Sequence, residues 1–309
     1  MPPPLIAIVG ATSTGKTALG VSLARAVDGE IINADSRQVY RGMDIGTAKP
    51  SAEEREAARH WLLDAVAPDE PFTLATFLDL AQTAVGDIRS RGKRPIVAGG
   101  TGQYIWALVE GWRVPRVPPD RRLRAELEGL ASREGSDALH HLLREEDPAS
   151  AAEIDPRNVR RVVRAIEVTR ATGRPFSAWR TKDARPPDAV VLGLRTDRAR
   201  LYARIDARVD AMVAAGLVAE VRGLLGAGYA RDLPAMSSIG YRQICEHVRG
   251  QLTLDEGVAR MKTETHRLAR MQHTWFRPSD GRIRWLDAEA PDLAAQALAA
   301  VEAAGLPAR

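Results

Sequence analysis

Short apolar runs separated by amphipathic stretches organise the first third of the chain. Leu5-Ile6-Ala7-Ile8-Val9, the stretch around Ile31-Ile32, and Ile96-Val97-Ala98 are brief and rich in β-branched residues, which predicts buried strands. Residues 60–66 read as one more short strand. Helices are predicted between them. One follows Thr17. A second spans 52–59, where Ser51 and Glu54 form a capping-box pair. A third spans 73–90, with Phe77, Leu80, Ala84 and Ile88 on one face. A fourth runs over 103–110. Strand and helix in alternation predict a doubly wound α/β domain with a parallel sheet.

The pattern changes near Gly111. Val114-Pro115-Arg116-Val117-Pro118-Pro119 reads as a stiff linker. Helices are then predicted over 120–133, 136–145, 148–153 and 156–172, with Gly173 and Pro175 closing the last. After Arg185-Pro186-Pro187 a β signal returns at 189–194. An all-helical segment therefore interrupts the α/β domain, giving expected boundaries of 1–114, 115–187 and 188–309. Beyond it, Leu201, Ile205, Val209 and Met212 form the apolar stripe of a helix over 198–216. Helices are also expected over 217–226, after Ser237-Ser238-Ile239-Gly240-Tyr241-Arg242, and over 253–276. A strand is expected over 282–286, followed by an Ala-rich helical tail. His60 reads as structural, and the adjacent His140 and His141 as surface residues.

Composition narrows the class. Of 309 residues, 45% are apolar and 27% charged, a soluble globular balance, and no apolar run approaches a membrane span. Cys245 is the single cysteine, which excludes an internal disulfide and a cysteine-built zinc site, so a cytoplasmic location is expected. Net charge is only +4, but it is unevenly placed. Residues 157–185 hold nine Arg or Lys, Arg180 and Arg185 among them, against two acids; residues 257–284 hold seven against two. Such clustering suits a nucleic-acid partner or, equally, a solvated helix face.

The strongest chemical signal is Gly10-Ala11-Thr12-Ser13-Thr14-Gly15-Lys16-Thr17, a complete phosphate-binding loop between a predicted strand and a predicted helix. Loop amides and the helix end would surround a phosphate, Lys16 would reach its terminal oxygens, and the Thr17 hydroxyl would hold Mg²⁺. Asp35 stands at the carboxyl end of the next strand, where ligands of open parallel sheets collect. It could hold Mg²⁺ through water, accept a proton, or cap a helix. Gly99-Gly100-Thr101-Gly102 follows another strand, and its glycines suggest a close backbone approach to ligand. Arg204 and Arg208 lie one helical turn apart and could clamp a leaving phosphate or simply be solvated. Lys262, His266, Arg270, His273 and Arg277 form a basic stripe with Trp275 and Phe276 beside its end, a pairing that suits RNA.

These motifs, with Asp35-Ser36-Arg37-Gln38-Val39-Tyr40, Gly46-Thr47-Ala48-Lys49-Pro50, Gly99 to Tyr104 and Ile239-Gly240-Tyr241-Arg242, stand in one order and together resemble the tRNA dimethylallyltransferases, also called tRNA isopentenyltransferases. The resemblance covers nearly the whole chain. It implies a P-loop NTPase-like sheet with an inserted tRNA-binding domain. It also implies transfer of a dimethylallyl group from dimethylallyl pyrophosphate to N6 of adenosine 37 in the tRNA anticodon stem-loop. Asp35 would be the general base, with Lys16, Thr17 and Arg208 on the pyrophosphate beside Mg²⁺, and Thr101 at the reaction centre. Ser36 and Gln38 would contact the target base, with Arg37 beside them. Further tRNA contacts would come from Arg124, Arg160, Arg161, Arg164, Ser237, Ile239, Gly240, Tyr241, Arg242, Arg270, His273 and Arg277. A lone cysteine leaves no room for the zinc finger that eukaryotic members add, so the chain is similar to the bacterial form, expected as a monomer. Rival readings are an adenylate isopentenyltransferase, whose relatives lack the helical insert, a phosphate-loop kinase, and a non-catalytic RNA-binding protein.

Overall fold

Leu5–Gly10 forms β1, and all of its residues are buried. Strands buried on both faces belong to parallel sheets covered on both sides. In the computed structural model, which describes residues 4–179, 181–183 and 188–304, β1 lies inside such a sheet. The order is β3 (His60–Trp61), β2 (Gly29–Asn33), β4 (Arg94–Ala98), β1, β7 (Ala189–Arg195), β8 (Ile283–Asp287), with every neighbouring pair parallel. The α/β doubly wound expectation holds, and β3 is shorter than the run of apolar residues suggested.

Ile6, Ile8, Ile31, Ile96 and Leu192 bury one sheet face under α1 (Lys16–Val27) and α13 (Leu293–Glu302). On β2, β4 and β1 pack α3 (Leu74–Ser90) and α4 (Gly102–Val109). Leu80, expected on the buried face of α3, is 40% exposed, and Ala81 takes its place in the core. The short α2 (Ala52–Ala57) starts with the expected capping box between Ser51 and Glu54. Four later helices, α9 (Arg198–Ala214), α10 (Leu217–Gly226), α11 (Tyr241–Val248) and α12 (Leu254–Trp275), share a second core around Val209, Leu217, Ile244 and Met261. Among the described residues no helix is long and apolar enough to cross a membrane.

Residues 110–186 form a separate compact unit. Arg180 and Arg185 of its basic run, and the Pro186-Pro187 linker, lie outside the described residues. The unit contains β5 (Trp112–Arg113) paired antiparallel with β6 (Thr181–Lys182), neither of them expected. Helices α5 (Arg121–Glu134), α6 (Ser136–Glu146), α7 (Pro148–Glu153) and α8 (Val159–Thr172) enclose Leu127, Leu139, Leu143, Val162 and Ile166. Helix α8 begins later than residue 156, because Asp155 turns the chain by accepting the Arg157 N–H and Asn158 caps the helix. Arg157 therefore pairs with Asp155 outside the helix and shares no face with Arg161. His140 is buried rather than on the surface. Its Nε2 meets the Ala151 and Ile154 carbonyls at 3.0 and 2.9 Å, closing α7 onto α6.

A buried carboxylate holds this helical unit together. Glu167 is 1% exposed and accepts from Arg124 Nε and Nη2 (both 2.8 Å), Arg164 Nη1 (2.6 Å) and the Asp120 amide (2.8 Å). Burial pushes its carboxyl upward, but the hydrogen bonds from Arg124 and Arg164 outweigh that and hold it at about 2. Arg164 also donates to the Val117 and Pro115 carbonyls. Arg124 and Arg164, expected to grip RNA, are thus tied inside the unit. Arg160 and Arg161 are exposed, with no ion pair among the described residues.

Because the Glu167 pKa is lowered from 4.5, its stabilisation is present above that value and is lost as pH falls toward 2. Glu167→Gln should destabilise the unit by about 3–5 kcal/mol, since two guanidinium groups lose their buried partner. Amide hydrogen exchange of α5 and α8 checks this: protection should fall there, and should be unchanged when Arg160 and Arg161 are both replaced by Ala.

Candidate active site

The phosphate loop is held open by its own backbone. Gly10 has φ +144°, and a Cβ there would lie 2.7 Å from the Leu194 carbonyl oxygen. Ser13 has φ +62°, a strained value for a residue other than glycine. Thr14 closes the loop by donating to the Ala11 carbonyl at 2.8 Å. Helix α1 then starts from Gly15, which supplies no side-chain cap, so its first amides point outward unsatisfied. The Ser13 hydroxyl is buried without a partner. An uncapped helix end and an orphan hydroxyl in one loop are satisfied by an anion.

Two cations and one carboxylate gather there. Lys16 Nζ donates to the Ala11 carbonyl at 2.6 Å. Burial, followed by the nearby Arg208 guanidinium, pushes Lys16 down to about 8 against the pull of Asp35. Arg208 reaches Thr12 Oγ1 and the Ala48 carbonyl, each at 3.4 Å. Burial lowers its pKa too, opposed by Asp35 and Glu54. Asp35 follows β2 and fixes its loop by accepting the Arg37 N–H at 2.8 Å. The Thr101 hydroxyl accepts the Ser36 N–H at 3.1 Å, and the Thr101 amide donates to the Ala34 carbonyl at 3.2 Å. The loops after β1, β2 and β4 therefore converge at the carboxyl edge of the sheet, as the topology requires.

Arg204 and Arg208 are separated by their partners rather than joined as a clamp. Arg204 pairs with Glu289 at 2.9 Å, leaving Arg208 alone at the loop. The glycines after β4 have a packing reason within the protein itself. A Cβ at Gly99 would lie 2.2 Å from the Ala34 carbonyl oxygen, at Gly100 2.2 Å from Gln272 Nε2, and at Gly102 2.4 Å from Trp275. All three admit a close approach of protein.

Two motifs interlock through a residue the sequence did not single out. Glu220 on α10 accepts the Asp44, Ile45 and Gly46 N–H groups at 2.9, 2.7 and 3.1 Å and the Tyr241 hydroxyl at 2.5 Å. A Cβ at Gly46 would sit 2.5 Å from the Tyr241 ring. Gln38 ties the same loop by donating to the Thr47 and Ala48 carbonyls at 3.1 and 2.9 Å. Lys49, its side chain buried, binds Asp44 and Asp64. The fully buried Tyr241 and buried Gly240 thus shape the loop carrying Ala48 and are closed to RNA. Ser237 and Arg242 are exposed and Ile239 half-buried, with Arg242 paired to Glu264 at 2.5 Å; Arg37 donates to the Pro234 carbonyl at 2.7 Å.

The basic stripe of α12 divides. Lys262 pairs with Asp210 at 2.7 Å, and His266 stacks on Tyr202 and meets Asp206 at 2.9 Å. Arg270 donates to the Tyr202 hydroxyl at 2.8 Å. Arg270, His273, Trp275 and Arg277 are exposed, whereas Phe276 is buried. Among the described residues no three His, Cys, Asp or Glu side chains could jointly hold a metal. His60 turns its ring Nδ1 to the Ala58 carbonyl. A groove of about 550 Å³ opens beside Arg208, lined by Ala48, Lys49, Pro50 and Met212.

A parallel sheet with a phosphate loop at its central strand and a carboxylate beside it defines a phosphate-loop α/β protein. Residues 38–279 match the family model described as IPP transferase, and the chain belongs to that family. It is 52% identical over 294 residues to the tRNA dimethylallyltransferase of Roseiflexus sp. (strain RS-1), covering 95% of this chain and 96% of the relative. To that of Chloroflexus aurantiacus it is 53% identical over 273 residues, covering 88% and 92%. The crystal structure of a full-length tRNA isopentenylpyrophosphate transferase from Bacillus halodurans superposes with TM-score 0.70 at 38% identity, covering 98% of each chain. A eukaryotic dimethylallyltransferase acting on tRNA superposes with TM-score 0.82 at 28% identity, covering 99% of this chain and 81% of that one.

Lys16 sets a pH dependence. Free protein loses the Lys16 proton as pH rises through about 8, while a bound anion retains it. Affinity for inorganic pyrophosphate should therefore fall above that pH, by up to about tenfold per unit, and the extra slope should vanish in Lys16→Met. Calorimetric titration across the range reads it; equal slopes for the two proteins would contradict it.

Proposed function

We propose that the chain transfers the dimethylallyl group of dimethylallyl pyrophosphate to N6 of adenosine 37, beside the tRNA anticodon, and releases pyrophosphate. The observation that carries this reading is the position of Asp35 next to Lys16 and Arg208 at the phosphate loop. A phosphate loop alone serves phosphoryl transfer equally well. A carboxylate able to take a proton, set beside two cations able to hold a diphosphate, suits alkyl transfer with the diphosphate leaving.

The bond that forms joins N6 to the allylic carbon, and the bond that breaks joins that carbon to the diphosphate oxygen. Its electrons leave with the diphosphate, so stabilising that charge is the larger part of the task. Lys16, Arg208, the uncapped amides of α1 and the Ser13 hydroxyl do this. Asp35 takes the N6 proton as the amine turns cationic, and its loop geometry is set by the Arg37 amide. Thr101 holds the acceptor side through its hydroxyl, itself anchored by the Ser36 amide. N6 lies on the pairing edge of adenine, so the base must leave its stack to reach them.

Mg²⁺ fits this donor set. The Thr17 hydroxyl has no hydrogen bond among the described residues, and Asp35, close enough to Lys16 to act on its charge, could reach the ion through water. Few protein ligands suit an ion that arrives with phosphate oxygens and keeps its waters. When bound it would add positive charge against the departing diphosphate. The RNA would be held by exposed basic side chains: Arg160 and Arg161 on α8, and Arg270 and His273 with Trp275 on α12 and Arg277 just beyond it. The protein would act as a monomer in the cytoplasm.

Purified protein given dimethylallyl pyrophosphate labelled in the allyl group should place label on tRNA and none on AMP or ATP. Label on AMP instead would make it a free-nucleotide prenyltransferase, and phosphorylation of a small acceptor from ATP would make it a kinase. Asp35→Ala should lower kcat by about 100-fold or more while tRNA affinity changes little, because the carboxylate acts in the chemical step. Equal losses in both would show that Asp35 only shapes its loop.

A further inference from the structure

The Gln272 carboxamide joins two loops that the reaction must keep in register. Its Oε1 accepts the Thr12 N–H at 2.8 Å, and its Nε2 donates to the Gly100 carbonyl at 3.0 Å. Thr12 belongs to the phosphate loop; Gly100 immediately precedes Thr101. The side chain is buried at 8% exposure, on a helix whose neighbouring core positions are the apolar Ala269 and Phe276. A buried carboxamide at such a position is accounted for by its two bonds, which satisfy both of its polar atoms. A Cβ at residue 100 would fall 2.2 Å from Nε2, so the carboxamide keeps its place only beside a glycine. One turn on, Trp275 lies against Gly102, and Trp106 Nε1 donates to the Trp275 carbonyl at 3.0 Å. Helix α12 is therefore keyed to the loop after β4 at two glycines, and reaches the phosphate loop through Gln272 alone of these side chains.

We infer that Gln272 is a positioning residue. It fixes the leaving-group anchor around Thr12 relative to the acceptor side around Thr101, so that the allylic carbon and N6 meet in line. The inference rests on the transfer reaction proposed above. Gln272 touches neither reacting atom; it acts through the two backbones it bridges. Its loss therefore separates binding from chemistry. Pyrophosphate still finds Lys16, Arg208 and the α1 amides, but the bound carbon is misplaced, and an error of that kind slows the chemical step without weakening the ground-state complex.

Gln272→Met keeps the side chain's length and removes both bonds. Its kcat should fall about 30-fold or more, as a misplacement near 1 Å produces. KM for dimethylallyl pyrophosphate and the calorimetric Kd for Mg²⁺–pyrophosphate should stay within about threefold, and the thermal midpoint within about 5 °C. Gln272→Glu keeps the acceptor for Thr12 but can donate to Gly100 only when protonated. Its kcat relative to the wild type should therefore rise as pH is lowered from about 8 to about 6, where burial favours the neutral acid. Gly100→Ala displaces the carboxamide and should match Gln272→Met, with the two changes together no worse than either alone. A wild-type kcat in Gln272→Met, or kcat and pyrophosphate affinity falling in proportion, would overturn the inference. Wild-type protein that transfers nothing to tRNA would instead sink the reaction, and the inference with it.

Discussion

An uncapped helix end decides how the rest of this molecule is arranged. Helix α1 begins at Gly15 with no side chain to take its first amides, and the loop before it holds Gly10 and Ser13 at backbone angles most residues avoid. Unsatisfied donors and strain of this kind persist only where surrounding structure enforces them and a ligand completes them. The enforcement comes from the sheet. Parallel register from β1 to β4, and from β4 to β2, places the ends of β4 and β2 beside the loop, so Thr101 and Asp35 arrive there by topology. From above, α9 contributes Arg208 and α12 contributes Gln272. Each supporting contact is ordinary; their convergence on one open helix end is what makes a site.

Much of this was legible in the residues. Fully buried strands give short apolar runs with no polar alternation, and the phosphate loop follows directly on one of them. The same local logic failed where the deciding partner lies far along the chain. Arg204 and Arg208 are equivalent by helical spacing; only Glu289, which pairs with Arg204, separates them. Leu80 and Ala81 are both compatible with an amphipathic stripe, and the packing of α3 chooses Ala81. His140 looked like a surface residue because its carbonyl partners, Ala151 and Ile154, come from the next helix. Gln272 did leave a signal: a polar side chain three residues after Ala269 and four before Phe276, at the period of the buried face. Glu220 left none, since a single acid on an amphipathic helix is unremarkable until the loop amides it caps are known.

A count of basic residues overstates the free positive charge, and pairing corrects it. Within the helical unit, Arg124 and Arg164 balance Glu167, while Arg160 and Arg161 are exposed. On α12, acids of α9 take up Lys262 and His266, so the free charge lies toward the helix's carboxyl end with Trp275. The glycines after β4 carry a similar lesson. Their pattern suggests room for a ligand, and at Gly99, Gly100 and Gly102 that room serves a named protein group. Fold-keeping and ligand-holding residues carry the same sequence signatures here, and only their partners tell them apart.

In the proposed reaction the phosphate loop anchors a group that departs rather than one that is transferred. Dimethylallyl pyrophosphate carrying ¹⁴C in the allyl chain and ³²P in the terminal phosphate tests it in one reaction with tRNA. Of the substrate consumed, all of the ¹⁴C should appear in the RNA and all of the ³²P in free pyrophosphate, in equal amounts. Incorporation of ³²P into the RNA, or release of ³²P as inorganic phosphate without carbon transfer, would contradict it.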